Sequence, residues 1–367
     1  MTRVVVSVLT GLCLWGGSVG ATLAFAGEGR VETVAGNGEN RYFGDGELAT
    51  KAGCGGPFGV IVGPDKALYI CETTTHVIRR VDPETGFATT IAGTGEKGND
   101  GDGGPATRAR INEPYEIRFD REGNLYFVDM VAAVVRRIDQ GTGVISTVAG
   151  TGKVGFSGDG GPAVNAQLDK PHSIALDNDG HLYICDIGNH RVRKVDLKSG
   201  VITTFSGDGT RKGTPDGGRF AEVPLNGPRA LDFDGQQSLI LALREGNAVY
   251  RLDLKEGTIH HVAGTGKSGY AGDGGPAKLA TLAGPKGVSL GKNGDIYLAD
   301  TESHTIRVIR KETGNIETVV GNGKIGDGPD GLPKDCRLDR PHGVYVDENG
   351  RVYIGDSNNN RTRVFVP

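Results

Sequence analysis

Residues 171–205 read PHSIALDNDGHLYICDIGNHRVRKVDLKSGVITTF. SIALD is a short apolar strand, and DNDG is an Asn/Asp/Gly turn of the kind that joins hairpin strands. HLYICD is a second strand, apolar on both faces, as expected of a strand buried between two layers. RVRKVD is a third strand, LKSG a second turn and VITTF a fourth strand. A glycine-rich segment, seen just upstream as GTGKVGFSGDGGPA (150–163), leads from one such unit to the next.

The unit recurs. Prolines that open an apolar run stand at Pro57, Pro114, Pro171, Pro228, Pro285 and Pro341, at steps of 57, 57, 57, 57 and 56 residues. Asp-Gly pairs upstream place aspartates at Asp45, Asp102, Asp159, Asp216, Asp273 and Asp330, each 57 apart. Four antiparallel strands and one long connection, six times over, predict an all-β fold: a six-bladed β-propeller of four-stranded antiparallel blades. The sixth unit stops after its third strand, at RVFVP (363–367). VETVAG (31–36) matches the fourth-strand sequences ISTVAG (145–150) and IETVVG (316–321). The first strand is therefore expected to complete the last blade, closing the ring and removing its open edges.

Repetition also decides what the glycines do. G-x-G-x-x-G starts at Gly93, Gly150, Gly264 and Gly321, the same place in four units. A dinucleotide site needs one such turn opening a long helix in a βαβ unit, and no such helix follows here. In GTGKS (264–268), His261 stands where a phosphate-binding loop needs its first glycine. The segment reads as a connection between blades, with GGPA starting a single helical turn.

Residues 1–26 differ in composition. Arg3 precedes a largely apolar run from Val4 to Phe25, and Ala24, Phe25 and Ala26 fit the small-x-small cleavage rule. They read as a secretory signal peptide, so export to the periplasm or the extracellular space is expected. Residues 27–367 read as a single propeller domain, long enough to bury a large core, with no later apolar stretch able to span a bilayer. The net charge of −4, without a basic block, speaks against nucleic acid as partner.

The units carry D-x-x-N-x-x-[IV]-R, clearest at Asp186, Asn189, Val192 and Arg193, and PHSIALD (171–177) opens the same unit. In these motifs the chain resembles the NHL-repeat propellers over essentially all of residues 27–367. The resemblance implies the fold. It leaves function open, because that family includes an amidating lyase, ligand sensors and protein-interaction modules, and related six-bladed propellers include lactonases and strictosidine-synthase-like proteins. The lyase holds zinc with histidines after such prolines. Only His172 and His342 occupy that position here, so no zinc site of that kind is expected. The lactonases hold calcium within the channel, and Glu116 and Asp232 are the calcium candidates, fewer acids than calcium prefers. No cofactor is predicted.

Comparison between units separates scaffold from candidate site. An acid ends the second strand at Glu72, Asp129, Asp186, Asp300 and Asp356, with an arginine seven residues on at Arg79, Arg136, Arg193, Arg307 and Arg363. The fourth unit loses both, as Leu243 and Tyr250, which is the pattern of a buried structural pair. Cys54, Cys71, Cys185 and Cys336 replace small or apolar residues of other units and read as buried thiols, with a Cys54–Cys336 bridge across the seam of the ring left open. His76, His190 and His304 recur at 114 residues, as do Tyr42, Phe156 and Tyr270. The histidines read as turn residues, and the rings as loop pins or stacking surfaces for a sugar or peptide.

The residue after each proline varies: Phe58, Tyr115, His172, Arg229, Lys286 and His342. Glu116, Arg118, Asp232 and Tyr345 are the neighbouring channel positions. These ten residues, converging on the mouth of the channel, are the predicted ligand site, and the cations among them favour an anion such as a carboxylate or phosphate. The expected function is a binding module for a small anion, glycan, peptide or protein. The alternative is a hydrolase or lactonase with a divalent metal in the channel, or with Glu116, Asp232 or a channel histidine as base. No Ser/His/Asp set emerges, and no catalytic residue is assigned.

Overall fold

A proline cannot donate to a strand ladder, so it is tolerated at the first residue of a strand. Each of the six repeated prolines is found there. The computed structural model describes residues 29–367, so the expectations for residues 1–26 lie outside the described residues. Six four-stranded antiparallel sheets are present. In the unit quoted above the strands are Pro171–Leu176, His181–Asp186, Arg191–Asp196 and Val201–Ser206. The sixth sheet joins Pro341–Val346, Val352–Asp356 and Arg361–Val366 to Arg30–Ala35. Arg30 lies opposite Val366 and Thr33 opposite Arg363, so the ring is closed as the sequence predicts. Blades are numbered one to six by their prolines.

The inner strands are laced around the axis by side chains that reach the next blade. Ser173 accepts the Leu231 N–H at 3.0 Å, Asp232 the Leu290 N–H at 2.8 Å and Ser289 the Val346 N–H at 3.1 Å. The last and first blades meet so closely that a Cβ on Gly343 would lie 1.8 Å from the Phe58 carbonyl oxygen. The core sits between blades. Leu168, Ile174, Leu182 and Ile184 of blade three pack with Val128 and Val135 of blade two, and every residue of Ser238–Leu243 is buried.

The glycine motif has a steric cause. Gly93 and Gly150 have φ of +88° and +98°, and a Cβ there would lie 2.2 Å from the His76 carbonyl oxygen or 2.4 Å from that of Ala133. Only glycine allows the end of the fourth strand to pass the turn between strands two and three. After GGPA the chain makes the single 3₁₀ turns Ala106–Arg108, Ala163–Asn165 and Ala277–Leu279.

The acid–arginine pairs have a third member. Arg193 is fully buried. It lies 3.4 Å from Asp186 but 2.7 Å from Asp159, the aspartate of the Asp-Gly pair. Arg79, Arg136 and Arg307 repeat this geometry, at 2.8, 2.6 and 2.6 Å from Asp45, Asp102 and Asp273. Arg363 reaches both Asp330 and Asp356 at 2.8 Å. Each guanidinium thus ties the two middle strands to the incoming connection. In blade four Leu243 and Tyr250 are buried. The Tyr250 hydroxyl donates to the Thr214 carbonyl at 2.7 Å, as Arg193 donates to the Ser157 carbonyl at 3.0 Å.

Of the features repeated at 114 residues, all but His190, whose Nδ1 has no partner, serve this scaffold. The rings of Tyr42, Phe156 and Tyr270 lie over Arg79, Arg193 and Arg307, with the Cζ atoms 5.9, 4.9 and 5.4 Å from the ring centroids. They are loop pins that cover buried cations. His76 and His304 adopt φ of +56° and +57°, and their Nδ1 atoms accept the Glu113 and Arg340 N–H groups of the next blade at 3.2 and 3.1 Å. Asn247 does the same for the Gly284 N–H at 2.9 Å. Among the described residues the four cysteines, Cys54, Cys71, Cys185 and Cys336, are free and buried. A Cys54–Cys336 bridge is not formed, because the two thiols lie in separate core clusters on opposite sides of blade six.

Two stability predictions follow from the buried network. Asp186→Ala takes from the buried Arg193 one of its two carboxylates and leaves Asp159, and losing a partner of such a network costs up to about 3–5 kcal/mol. The thermal midpoint should fall, and Asp186→Leu with Arg193→Tyr should recover part of it. A double variant no better than the single one would refute the pairing. The second concerns Asp129. Burial raises its pKa to about 7 despite Arg136, which lies 3.7 Å away and is held closer by Asp102. An unfolded aspartate titrates near 3.9, so the native state binds the extra proton between about pH 4 and 7, and this contribution to stability is lost as pH rises through 7. Asp129→Asn, which has no such proton to lose, should therefore remove part of the decline of the melting temperature between about pH 4 and 7.

Candidate functional site

The first residue after each proline points to the axis at the end of the ring that carries the turns between strands two and three. There the six side chains pack on one another. Phe58 stacks on His342 at 3.9 Å and meets Tyr115 edge-on at 4.5 Å, and Tyr115 meets His172 at 4.6 Å. Arg229 lies over the Tyr115 ring at 4.6 Å and donates to its hydroxyl. Lys286 lies 3.4 Å from His342. Arg229, Lys286, His172 and His342 are all buried, so these residues form a plug rather than an open polar rim.

The plug carries excess positive charge. Glu302 accepts from Lys286 at 2.7 Å and from Arg340 at 2.8 Å, while Arg229 Nε has no protein partner. Burial, then the nearby Arg229, lowers the Lys286 pKa to about 8. Burial, with Lys286 and Arg229 beside it, depresses that of His342 well below its ordinary value.

Glu116, Arg118, Asp232 and Tyr345 form a second layer further along the inner strands. Arg118 is paired with Glu116 and lies 3.9 Å from Asp232. Burial raises the pKa of both acids, and Arg118 opposes this. The two calcium candidates are thus already bridged by a cation. Among the described residues no group of three or more His, Cys, Asp or Glu side chains is placed to hold a metal ion. Arg118 and Tyr345 line a cavity of about 340 Å³ at the opposite end of the channel, beside Lys66 and Glu348.

Of the ten predicted residues, His172 alone lines a cavity of about 570 Å³ that opens off-axis over blades two to four at the plugged end. Its polar walls are Lys170, His190, Arg211, Arg244 and Glu245. Val131 and Val154, both exposed, form an apolar edge. Arg211 Nε donates to His190 Nε2 at 2.8 Å, and Arg244 pairs with Glu245 at 2.8 Å. Burial, with Arg211 beside it, lowers the His190 pKa. Lys170, Arg211 and Arg244 lie outside the inner strands, from which the ten candidates come. The signal was present: Arg244 stands where other blades have Thr73, Met130, Ile187, Thr301 and Ser357, and Arg211 where they have Asn40, Lys97, Val154, Ser268 and Ile325.

The sequence matches the Teneurin NHL domain over residues 94–157, 152–218 and 247–326, and the NHL repeat over residues 338–365. NHL repeat-containing protein 2 of Gallus gallus is 26% identical over 331 residues, which is 81% of this chain and 44% of that protein. The chain spans less than half the length of the curated relatives it matches first. Among solved structures, an auxiliary nutrient binding protein from Bacteroides ovatus superposes with a TM-score of 0.66 at 16% identity, covering 93% of this chain and 77% of that one. A gluconolactonase from Xanthomonas campestris does so with 0.57 at 13% identity, covering 95% and 93%. At these identities the structures show a shared fold and nothing of shared chemistry.

The second layer generates a test of its own. Arg118→Ala leaves Glu116 and Asp232 facing each other without a counter-charge, at a cost of about 3–5 kcal/mol. Added calcium should raise the melting temperature of that variant and leave the parent unchanged. A parent stabilised by calcium to the same extent would show that Arg118 does not occupy the cation position.

Proposed function

Because the chain belongs to the NHL-repeat family of six-bladed propellers, we propose that it is an exported binding module. In this reading it takes a small anionic ligand, bearing a carboxylate or phosphate, in the off-axis cavity over blades two to four. The observation that carries the reading is the charge around that cavity. Lys170, Arg211 and Arg244 stand in its wall with His172 and His190, and Arg229 and Lys286 lie in the plug beneath. Charge-assisted hydrogen bonds to such an anion contribute about 1.5–3 kcal/mol each, and the apolar edge at Val131 and Val154 gives the ligand's carbon frame a dry surface. Export rests on the apolar run Val4–Phe25 in the sequence. Among the described residues no helix is long and apolar enough to cross a membrane.

The hydrolase alternative ranks lower. Its base would be Glu116, Asp232 or a channel histidine; a metal at the two acids would have to displace Arg118, and His342 is buried against Phe58 and Lys286. The proposed binding needs no cofactor.

Calorimetric titration with citrate and with inorganic phosphate tests the reading. Binding should weaken as salt rises, and Arg211→Ala with Arg244→Ala should weaken it at least tenfold without lowering the melting temperature. Equal affinity in parent and variant, or no binding of either anion, would overturn it. One tightly held calcium whose chelation abolishes cleavage of a lactone would favour the alternative.

A further inference from the structure

Five blades hold a guanidinium against the aspartate of the Asp-Gly pair; blade four keeps the aspartate, Asp216, and has no arginine. Tyr250 and Leu243 fill only the inner part of the vacated space. Gly213 stands where blades one, three and five place Tyr42, Phe156 and Tyr270 over their arginines, so the space is also uncovered. The result is a cavity of about 370 Å³ lined by Thr214, Asp216, Asn226, Glu245, Tyr250 and His261, with the backbone of Gly264 and Gly266 at its edge.

The chemistry of this cavity is opposite to that of the mouth. Asp216 accepts the His261 N–H at 2.8 Å, which leaves its second oxygen to Lys278 at 3.4 Å, in a half-exposed contact. Glu245 pairs with Arg244, also exposed. Exposed pairs of this kind contribute little and exchange readily. Tyr250 supplies an aromatic wall suited to a cation, and Leu243 and Ala248 supply apolar surface for an alkyl stem.

We propose that the blade-four cavity binds an organic cation, a guanidinium or primary ammonium group on an alkyl stem, in the place where the other blades keep their own arginine. The site shares Glu245 with the mouth cavity and is otherwise separate from it. It does not depend on the anion-binding reading. The cation comes either from a free small molecule or from an arginine side chain presented by a polypeptide.

Titration with N-acetylarginine amide, followed by nuclear magnetic resonance, tests the proposal against its neutral isostere N-acetylcitrulline amide. The arginine compound should bind at least tenfold tighter, and Asp216→Asn should remove most of that preference. Leu243→Asp with Tyr250→Arg rebuilds the pair found in the other blades. It should abolish binding without lowering the melting temperature, because the protein's own guanidinium then fills the space. Phosphate binding at the mouth should be unchanged in both variants. A short arginine peptide that binds more than tenfold tighter than the amide assigns the cation to a polypeptide partner, and equal affinity assigns it to a free small molecule. Equal binding of the two isosteres, binding that survives in the rebuilt blade, or no binding below about 10 mM would overturn the proposal.

Discussion

A guanidinium that has lost its water must be given counter-charges before a blade can close. In five of six blades this is the constraint on which the fold depends. The arginine of the third strand draws the acid at the end of the second strand and the aspartate of the incoming connection onto one group. Blade and connection are thereby fixed by one interaction, and that connection carries the residues that line the mouth. In blades one, two, three and five a pair of carbonyls around the guanidinium imposes the same geometry. Such a network is costly to assemble and costlier to leave incomplete, which is why it is either whole or, as in blade four, rebuilt with a leucine and a tyrosine.

The consequence for function is that scaffold and site use different residues of the same repeat. The network, the glycines that pass the turns and the latches at His76, Asn247 and His304 recur from blade to blade and serve packing. Among the residues that break the repeat, those at the rim of the mouth face solvent. Arg211 and Arg244 interrupt positions that are otherwise polar and uncharged, apolar or a single lysine, and together with Lys170 they place positive charge on one side of the mouth. Asp216, left behind by the missing arginine, places negative charge a short distance away. The molecule therefore presents both signs on the flank of blades three and four.

Blade number, ring closure and the acid–arginine recurrence were legible in the sequence, because a period of 57 residues, 56 at the last proline, puts each copy in an equivalent setting. The role of the Asp-Gly aspartate was not. It recurs in all six units, including the one without an arginine, so a test based on joint loss passes over it; Asp216 persists because it also accepts the His261 N–H. The 114-residue recurrence of Tyr42, Phe156 and Tyr270 was visible, but not that each ring covers a buried cation. The ten candidate site residues all lie on the inner strands. Whether side chains that converge will face solvent or pack on each other depends on distances that no residue string contains. Phe58, Tyr115 and His342 stack into a plug, while Glu116 and Asp232 are occupied by Arg118.

The pairing of Arg30–Ala35 with Arg361–Val366 has a bearing on how the molecule comes into being. The earliest strand of the ring emerges from the ribosome with no partner, and it waits through the synthesis of five complete blades before one exists. For that interval its hydrogen-bonding edge is open to any extended segment nearby, the circumstance in which chains misassociate. The final clasp also makes the two termini a single cooperative element, so a nick or a shortening at either end loosens the same blade.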